Sequence, residues 1–213
     1  MTREQQIQNI ESERQYLEEQ LTKMINEIGP IPIASKKIMP FGWRKSAKGR
    51  TVWRILEEVI SQNLENNACS FGFNSVEPAE SEVGVYDFKF VYHGGKTSYV
   101  NIKSAVEGGR KNKDDLSKAE GLREFYTKNP DANLYISSFV IRFNDDMTID
   151  IVQCHVFPIT WIPDVYVNPS NNGNLQSAYY KDINDAEKRT NEEFLIVFDN
   201  ACKLAIQKKR NKN

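Results

Sequence analysis

The sequence predicts an α/β protein of the α+β kind, in which helices flank a mixed sheet. The first observation is the order of the periodic segments, which runs helix, helix, strand, strand, helix, strand, strand, helix. The second is the composition, since 39% hydrophobic and 27% charged residues are typical of an ordinary globular chain. A chain of 213 residues is long enough for one well-packed domain with extensions. Paired strands alternating with helices favour a sheet covered by helices on its faces.

The first element is a helix over residues 2–28, which Gly29 and Pro30 end. Its apolar residues follow a heptad-like seam that Arg14 interrupts once. They are Ile7, Ile10, Leu17, Leu21, Met24 and Ile28. Residues 1–40 are therefore predicted to be an N-terminal helix with its connector, packed on a second copy as a dimerisation arm or on the chain's own body.

The central part of the chain predicts a second helix followed by a hairpin. Residues 41–50 read as a basic loop, and the helix runs from Thr51, its predicted cap, to Asn66 with an apolar stripe. That stripe consists of Val52, Leu56, Val59 and Ile60. Residues 69–82 are predicted to be irregular, and the hairpin strands cover 83–92 and 97–106 around a Gly-Gly turn.

The last third predicts two more helices around a pair of strands. A glycine-containing basic loop over 107–113 leads into a helix over about 114–127. Strands over 133–143 and 148–157 follow, joined by a short turn of Asn and Asp residues. A long polar loop over about 163–182 precedes a closing helix over 183–209.

The charge distribution favours a nucleic-acid partner, although the net charge is only −1. No acidic residue lies between Ile28 and Leu56, whereas the same segment holds seven basic residues. A chain that presents selected basic faces suits binding to phosphates. Lys45, Lys48 and Arg50 are the predicted DNA contacts in this basic block, and an ordinary solvated surface is the competing interpretation.

Cysteine usage and hydropathy favour an intracellular protein without a membrane partner. Cys69, Cys154 and Cys202 are far apart and odd in number, so they indicate neither a disulfide framework nor a zinc site. No apolar run approaches the roughly 20 residues that span a bilayer. The polar N-terminus shows no secretory signal, which predicts a cytoplasmic location.

The hairpin carries the residues that point to chemistry. Asp87 opens its first strand, and Asn101 and Lys103 lie near the end of its second. Because side chains alternate along a strand, Asn101 and Lys103 share one face, and Asp87 reaches the same place if the hairpin forms. A carboxylate and a second oxygen ligand for a divalent metal, next to a lysine, are typical of phosphodiester hydrolysis.

Each residue of this group has a predicted role. Asp87 is the central ligand of Mg²⁺, Asn101 offers its amide oxygen, and Ile102 offers its main-chain carbonyl. Lys103 orients or deprotonates the attacking water, or stabilises the charge that develops on phosphorus. Glu57, near the edge of the helical apolar stripe, is the predicted acid that completes the neutral Asn101 site. An ordinary polar hairpin face is the alternative.

The long polar loop is rich in side-chain amides. Asn and Gln can pair in bidentate fashion with the N6 and N7 atoms of adenine, so the loop favours targets with A·T pairs. The predicted DNA-binding residues are Asn171, Asn172, Gly173, Asn174, Gln176 and Ser177. A polar surface loop is the competing interpretation, since these residue types are also common in turns.

Taken in order, these segments resemble the type II restriction endonucleases of the PD-(D/E)xK superfamily, and among them the EcoRV/SwaI-like branch. The resemblance covers about residues 45–205 and includes KGRTVWRILEEV, Asp87 with Asn101-Ile102-Lys103, VNPSNNGNLQSA and RTNEEFLIVF. Asn101 stands where the family usually has Asp or Glu.

This resemblance implies a restriction-endonuclease-like fold, with residues 41–213 as the nuclease domain. It further implies that Asp87 binds Mg²⁺, that Lys103 is catalytic, that Glu57 assists the metal site, and that residues 170–177 enter the DNA groove. The expected protein is a bacterial cytoplasmic homodimer that cuts double-stranded DNA at a palindromic site.

Three other functions stay open from the sequence. One is a DNA-binding protein with a nuclease-like fold and no catalysis, which the neutral Asn101 favours. Another is a repair or resolvase-type nuclease that cuts branched DNA in preference to linear duplex. The last is a scaffold that binds no nucleic acid, in which residues 2–28 mediate assembly.

Overall fold

The computed structural model describes residues 1–44, 48–80, 84–92, 95–109, 112–170 and 173–211, and the side chains of 48–51 lie outside this description. Within these ranges the chain has mixed helix and strand structure, as predicted. The helices are α1 (Arg3–Ile28), α2 (Lys48–Asn66), α3 (Ala119–Lys128) and α4 (Asn191–Arg210). The strands are β1 (Ile31–Pro32), β2 (Ser75–Pro78), β3 (Phe88–Tyr92), β4 (Lys96–Val106), β5 (Asp114–Lys118), β6 (Leu134–Phe143), β7 (Thr148–Pro158), β8 (Tyr166–Asn168) and β9 (Asn174–Ser177).

Six of these strands form a mixed sheet in the order β1-β7-β6-β4-β3-β2. The predicted hairpins are both present, because β3 pairs with β4 and β6 pairs with β7 in antiparallel fashion. Strand β4 runs parallel to β6, so α3 and the segments beside it form the crossover between them. Strand β4 is thus an interior strand of the sheet.

Helix α1 covers one face of this sheet and lies against β7 of its own chain. Leu17, Leu21 and Met24 from its seam are fully buried, so these side chains are not a surface for a second copy. Arg14, which interrupts the seam, is also buried, and it forms ion pairs with Glu11 and Glu18. A buried charge is tolerated when it is paired in this way.

A buried carboxylate fixes α1 to the centre of the sheet. Glu13 accepts hydrogen bonds from the hydroxyl groups of Ser98 on β4 and Tyr135 on β6, both at 2.7 Å. The side-chain amide of Asn133 donates to the same carboxylate. Because Ser98 faces α1, residues of β4 with odd numbers face the opposite side of the sheet.

A second, antiparallel sheet in the order β5-β9-β8 lies on that opposite side. Tyr99 of β4 packs edge-on against Phe125 of α3, with ring centroids 4.9 Å apart. Asn101 of β4 donates to the main-chain carbonyl of Leu116 in β5. The odd-numbered face of β4, which carries Asn101 and Lys103, therefore looks toward the small sheet.

Several predicted boundaries were wrong in the segments that build the small sheet. Residues 114–118 are strand β5 rather than the start of a helix, and α3 begins only at Ala119. The predicted loop over 163–182 contains the hairpin β8–β9. Both errors have one cause: β5 bonds β9 across about 60 residues of sequence, and such pairing overrides local propensity.

Three smaller corrections concern the ends of other elements. Helix α2 begins at Lys48, so Thr51 lies inside the helix and is not its cap. The segment predicted to be irregular contains β2, which pairs with β3. Helix α4 begins at Asn191 instead of 183, where Thr190 and Glu193 form a capping box that satisfies the first turn.

Candidate active site

Main-chain hydrogen bonds fix Asp87 to β4 on one side and to the end of β2 on the other. Its amide nitrogen donates to the carbonyl of Val100 and its carbonyl accepts from the amide of Ala79, each at 2.8 Å. Its carboxylate Oδ2 accepts from the amide nitrogen of Ile102 at 2.5 Å. The carboxylate therefore lies on the strand that carries Asn101 and Lys103, as the hairpin prediction requires.

Lys103 is a partly buried cation surrounded by acids. Burial lowers the pKa of its ammonium group, because a charge is poorly solvated there. The negative charges of Asp87, Glu57, Asp114 and Asp115 act in the opposite direction and raise the pKa. The net direction is downward, which favours an amine that exchanges its proton more readily than an exposed lysine does.

Glu57 on α2 approaches the same group. Burial, and next the negative charge of Asp87, raise the pKa of Glu57 to about 7, while Arg54 and Lys103 oppose the rise. Arg54 Nη1 and Glu57 Oε2 form an ion pair at 3.5 Å. Glu57 is half-buried and its neighbour Glu58 is exposed, which agrees with the positions predicted from the helical stripe.

Asp87 also resists ionisation. Burial raises the pKa of its carboxyl, although the hydrogen bond from Ile102 and the charges of Lys103 and Arg54 partly offset the effect. Two neighbouring carboxyls with raised pKa values mark a place where additional positive charge is stabilising.

Asn101 is almost fully buried, with 7% of its surface exposed, and its amide is oriented by two main-chain carbonyls. Its Nδ2 donates to Val85 at 3.0 Å and to Leu116 at 3.5 Å. Its Oδ1 is buried and has no hydrogen-bond partner among the described residues. Two acceptors on one side select an amide over a carboxylate, which explains physically why Asn stands at this position.

Ile102 contributes its main chain rather than its side chain. The side chain is 3% exposed and belongs to the core. The N–H and C=O groups of one strand residue point to the same side of the strand. The N–H of Ile102 donates to Asp87, so the carbonyl of Ile102 points to the same side of β4 as Asp87 does.

These groups fit a hard divalent cation. They offer a carboxylate, a buried amide oxygen without a partner, and a main-chain carbonyl, which are the ligand types that Mg²⁺ prefers. No three His, Cys, Asp or Glu side chains come together as a metal site within the described ranges. A cation here would therefore depend on the amide and main-chain oxygens as well as on carboxylates.

Sequence reasoning missed Asp114 and Asp115 of β5, whose charges act on Lys103. Asp114 Oδ2 accepts hydrogen bonds from Tyr180 and Lys181, both at 2.6 Å. The adjacent acids after a basic loop were the available signal, but they were assigned to a helix end. The strand assignment brings them to the candidate site.

The basic block lies mostly where side chains are not described. Lys45 falls outside the described residues. Lys48 and Arg50 lie in the first turn of α2, and their side chains are outside the description. Arg54, one helical turn further along, is exposed and lies over the ring of Trp53 at 4.1 Å. The predicted DNA contacts of this block remain predictions.

The predicted recognition loop contains a hairpin, and its residues differ in burial and in whether the structure describes them. Asn171 and Asn172 lie outside the described residues, and Gly173 has a positive φ of 72° that suits the turn. Asn174 and Gln176 are half-buried and lie on the same face of β9. Ser177 points into the interior.

Ser177 is a correction to the predicted DNA contacts. Its side chain is fully buried, and its hydroxyl donates to the carboxylate of Asp164. The same hydroxyl accepts from the amide nitrogen of Tyr179 at 3.1 Å. The side chain thus holds the end of β9 and does not present itself to a groove.

No family model matches the chain, and no curated protein matches it either. Among the described residues, no helix is long and apolar enough to cross a lipid bilayer.

Proposed function

We propose that this chain is a Mg²⁺-dependent endonuclease that hydrolyses double-stranded DNA at specific sites, on a fold of the PD-(D/E)xK type. One observation carries the proposal: the carboxylate of Asp87 is hydrogen-bonded to the main chain of β4 between Asn101 and Lys103. This hydrogen bond holds the carboxylate beside an amide oxygen and a lysine on β4. Metal-assisted hydrolysis of a phosphodiester uses groups of these types.

The metal would be held by Asp87, by Asn101 Oδ1 and by the carbonyl of Ile102. When bound, it supplies polarisation of the phosphate and acidification of a water molecule. Asp87 keeps its position through the hydrogen bond from Ile102, and the Asn101 amide keeps its orientation through its two carbonyl partners. The chain therefore preorganises the oxygen ligands before DNA arrives.

Lys103 and Glu57 handle protons beside this site. Burial lowers the pKa of Lys103, so its side chain is suited to orient the attacking water and to take its proton. The water oxygen then bonds to phosphorus while the bond from phosphorus to the leaving oxygen breaks, and the leaving oxygen keeps the electron pair and takes a proton from solvent water. Glu57, whose pKa is about 7, is partly protonated near neutral pH and supplies negative charge as it ionises.

Specific cutting of both strands also requires a partner copy and a way to read bases. A homodimer matches its two-fold symmetry to a palindromic site and places one active site on each strand. The seam of α1 is buried in its own chain, so the dimer would form through a different surface. The basic block before α2 supplies charge for the phosphates.

The test is digestion of unmodified bacteriophage DNA by the purified protein, with Mg²⁺ and separately with EDTA. We expect discrete fragments in Mg²⁺ and none in EDTA, and sequencing of the ends then gives the site. A smear would favour the repair or resolvase-type nuclease, which branched DNA substrates would identify. Absence of any cutting would contradict the proposal.

A second candidate is a DNA-binding protein with the same fold and no catalysis. The observation that favours it is the neutral Asn101, whose carbonyl partners exclude a carboxylate at this position. Such a protein would bind duplex DNA with a strong salt dependence set by phosphate contacts. It would release no product at any Mg²⁺ concentration, which separates it from the first candidate.

A further inference from the structure

The outer face of the β8–β9 hairpin carries three side-chain amides. Buried and half-buried residues alternate along both strands, so Val167 and Leu175 face the core. Asn168, Asn174 and Gln176 lie on the opposite face, and we refer to these three residues as the amide face. A polar face on a strand pair is suited to hydrogen bonding with base edges in a groove.

Gln176 has its amide held at both ends. Its Nε2 donates to Asp115 Oδ1 at 2.6 Å, across the β5–β9 pairing. Its Oε1 accepts from Asn168 Nδ2 at 3.2 Å, across the β8–β9 hairpin. An ionised carboxylate only accepts hydrogen bonds, so the nitrogen of Gln176 must face Asp115 and the amide cannot be reversed.

This arrangement leaves a defined hydrogen-bonding pattern on Gln176. An amide has two N–H groups and two carbonyl lone pairs, and the two contacts use one of each. One donor and one acceptor, on the adjacent nitrogen and oxygen atoms, then have no partner among the described residues. Adenine presents an acceptor, N7, beside a donor, the N6 amino group, in the major groove. Guanine presents two acceptors there, so its O6 would meet the carbonyl oxygen of Gln176.

We propose that Gln176 reads an adenine in the major groove and that Asp115 and Asn168 are positioning residues that fix the orientation of its amide. The proposal rests on the proposed function as a DNA endonuclease and adds the base and the residues that determine its choice. Without Asp115, only the weaker contact from Asn168 would orient the amide, so its nitrogen and oxygen would exchange places more often.

Strand β5 links this reading to the candidate active site. The pairing of β5 with β9 shifts register between Asp115 and Ser117, which leaves Leu116 outside the regular ladder. A residue in such a bulge has its main-chain groups available for other partners. The carbonyl of Leu116 accepts from Asn101, so the strand that orients Gln176 also contacts the catalytic strand. Strand β5 therefore contacts both the candidate active site and the amide face.

The experiment is cleavage of a pool of randomised duplex DNA in Mg²⁺, with sequencing of the cut ends to give the base preference at each position. For the intact protein we expect adenine to be selected at one position of each half-site, and we expect this selection to depend on Gln176. In Asp115→Ala we expect this selection to fall about tenfold or more, since one bidentate contact provides discrimination of this order. The preference at the other positions should not change.

Three variants make the result specific. Glu120→Ala removes one exposed negative charge from the neighbouring helix α3, and we expect it to keep the base preference. Asp115→Asn retains an oxygen that accepts from Gln176, so we expect substantial rescue. Gln176→Ala should lose selection at the same position as Asp115→Ala. Thermal unfolding of each variant checks that the small sheet is intact.

The outcomes separate this proposal from the one on which it rests. If Asp115→Ala keeps the full adenine preference, or loses preference equally at all positions, the positioning role is wrong while the endonuclease stands. If Gln176→Ala leaves every position unchanged, the reading role is wrong. If the intact protein cuts no sequence in the pool, the proposed function itself fails.

Discussion

The β3–β4 hairpin, which carries the candidate active site, and the amide face are held in place by different kinds of contact. In the β3–β4 hairpin, Asp87 makes three hydrogen bonds, and the partner in each is a main-chain group. On the small sheet, Gln176 is held by the side chains of Asp115 and Asn168. The proposed chemistry would therefore depend on the path of the backbone, whereas the proposed reading of bases would depend on neighbouring side chains.

This difference has a consequence for substitutions. A change next to Asp87 leaves its main-chain partners in place, so the carboxylate keeps its position. A change of one neighbour of Gln176 releases its amide. We therefore expect the cutting reaction to tolerate changes around the site better than the base preference does.

The largest expected effect is that of Lys103→Ala. We expect cleavage to fall about a thousandfold or more, because the variant lacks the group that handles the proton and the charge of the transition state. Sequence-specific binding without metal should persist. Lys89→Ala is the matched control, since Lys89 lies on the same hairpin in a surface ion pair with Glu77. Strong residual cutting by Lys103→Ala, measured under single-turnover conditions, would contradict the assignment.

Asp87 allows charge and hydrogen bonding to be separated. Asp87→Asn keeps an oxygen that accepts from Ile102 but removes the charge, so we expect near-normal stability and a loss of cleavage of about a hundredfold or more. Asp87→Ala also leaves the buried N–H of Ile102 without a partner, which costs about 1–3 kcal/mol of stability. Urea unfolding and cleavage assays on both variants check this. Equal stability of the two would show that the hydrogen bond does not fix the hairpin.

Asn101→Asp tests whether two main-chain carbonyls select the amide. A carboxylate donates no hydrogen bond to Val85 and Leu116, so we expect a loss of about 1–3 kcal/mol in unfolding free energy at neutral pH. The loss should shrink at acidic pH, where the protonated acid can donate. Asn9→Asp, on the exposed side of α1, is the control. A stabilised Asn101→Asp protein would show that the carbonyls exert no selection.

The smallest expected effect is the pH dependence of stability from Glu57. Its pKa rises from 4.5 in the unfolded chain to about 7 in the fold, so the folded state binds the proton more tightly. The stability that this group contributes is therefore fully present below about pH 4.5 and is lost as the pH rises through about 7. We expect Glu57→Gln to flatten this part of the metal-free stability curve, measured by urea unfolding between about pH 5 and pH 8. An unchanged curve would contradict the burial of Glu57 beside Asp87.

The sequence predicted the β3–β4 hairpin correctly because its contacts are local. Asp87 and Lys103 are 16 positions apart, and a glycine turn between two apolar strands brings them together without information from elsewhere in the chain. The side of α2 on which Glu57 lies followed from the helical period alone. Such features need only the periodicity and the turn chemistry of one short segment.

The rest of the site depends on pairing between distant segments, which a single sequence does not reveal. The strand assignment of β5 depends on β9, and the carbonyl that holds Asn101 comes from a bulge in that pairing. The amides of the recognition segment were identified by composition, but their fixed orientation depends on Asp115, about 60 residues away. Ser177 was misjudged because its burial is set by the same tertiary packing.

The most direct test of a metal site on β4 is anomalous diffraction from crystals of the protein grown with Mn²⁺ as a substitute for Mg²⁺. We expect an anomalous peak within coordination distance of Asp87, Asn101 Oδ1 and the carbonyl of Ile102, and its loss in Asp87→Asn. An anomalous peak only at another place in the protein, or no peak in crystals that contain Mn²⁺ and DNA, would contradict a metal-dependent nuclease site at this strand.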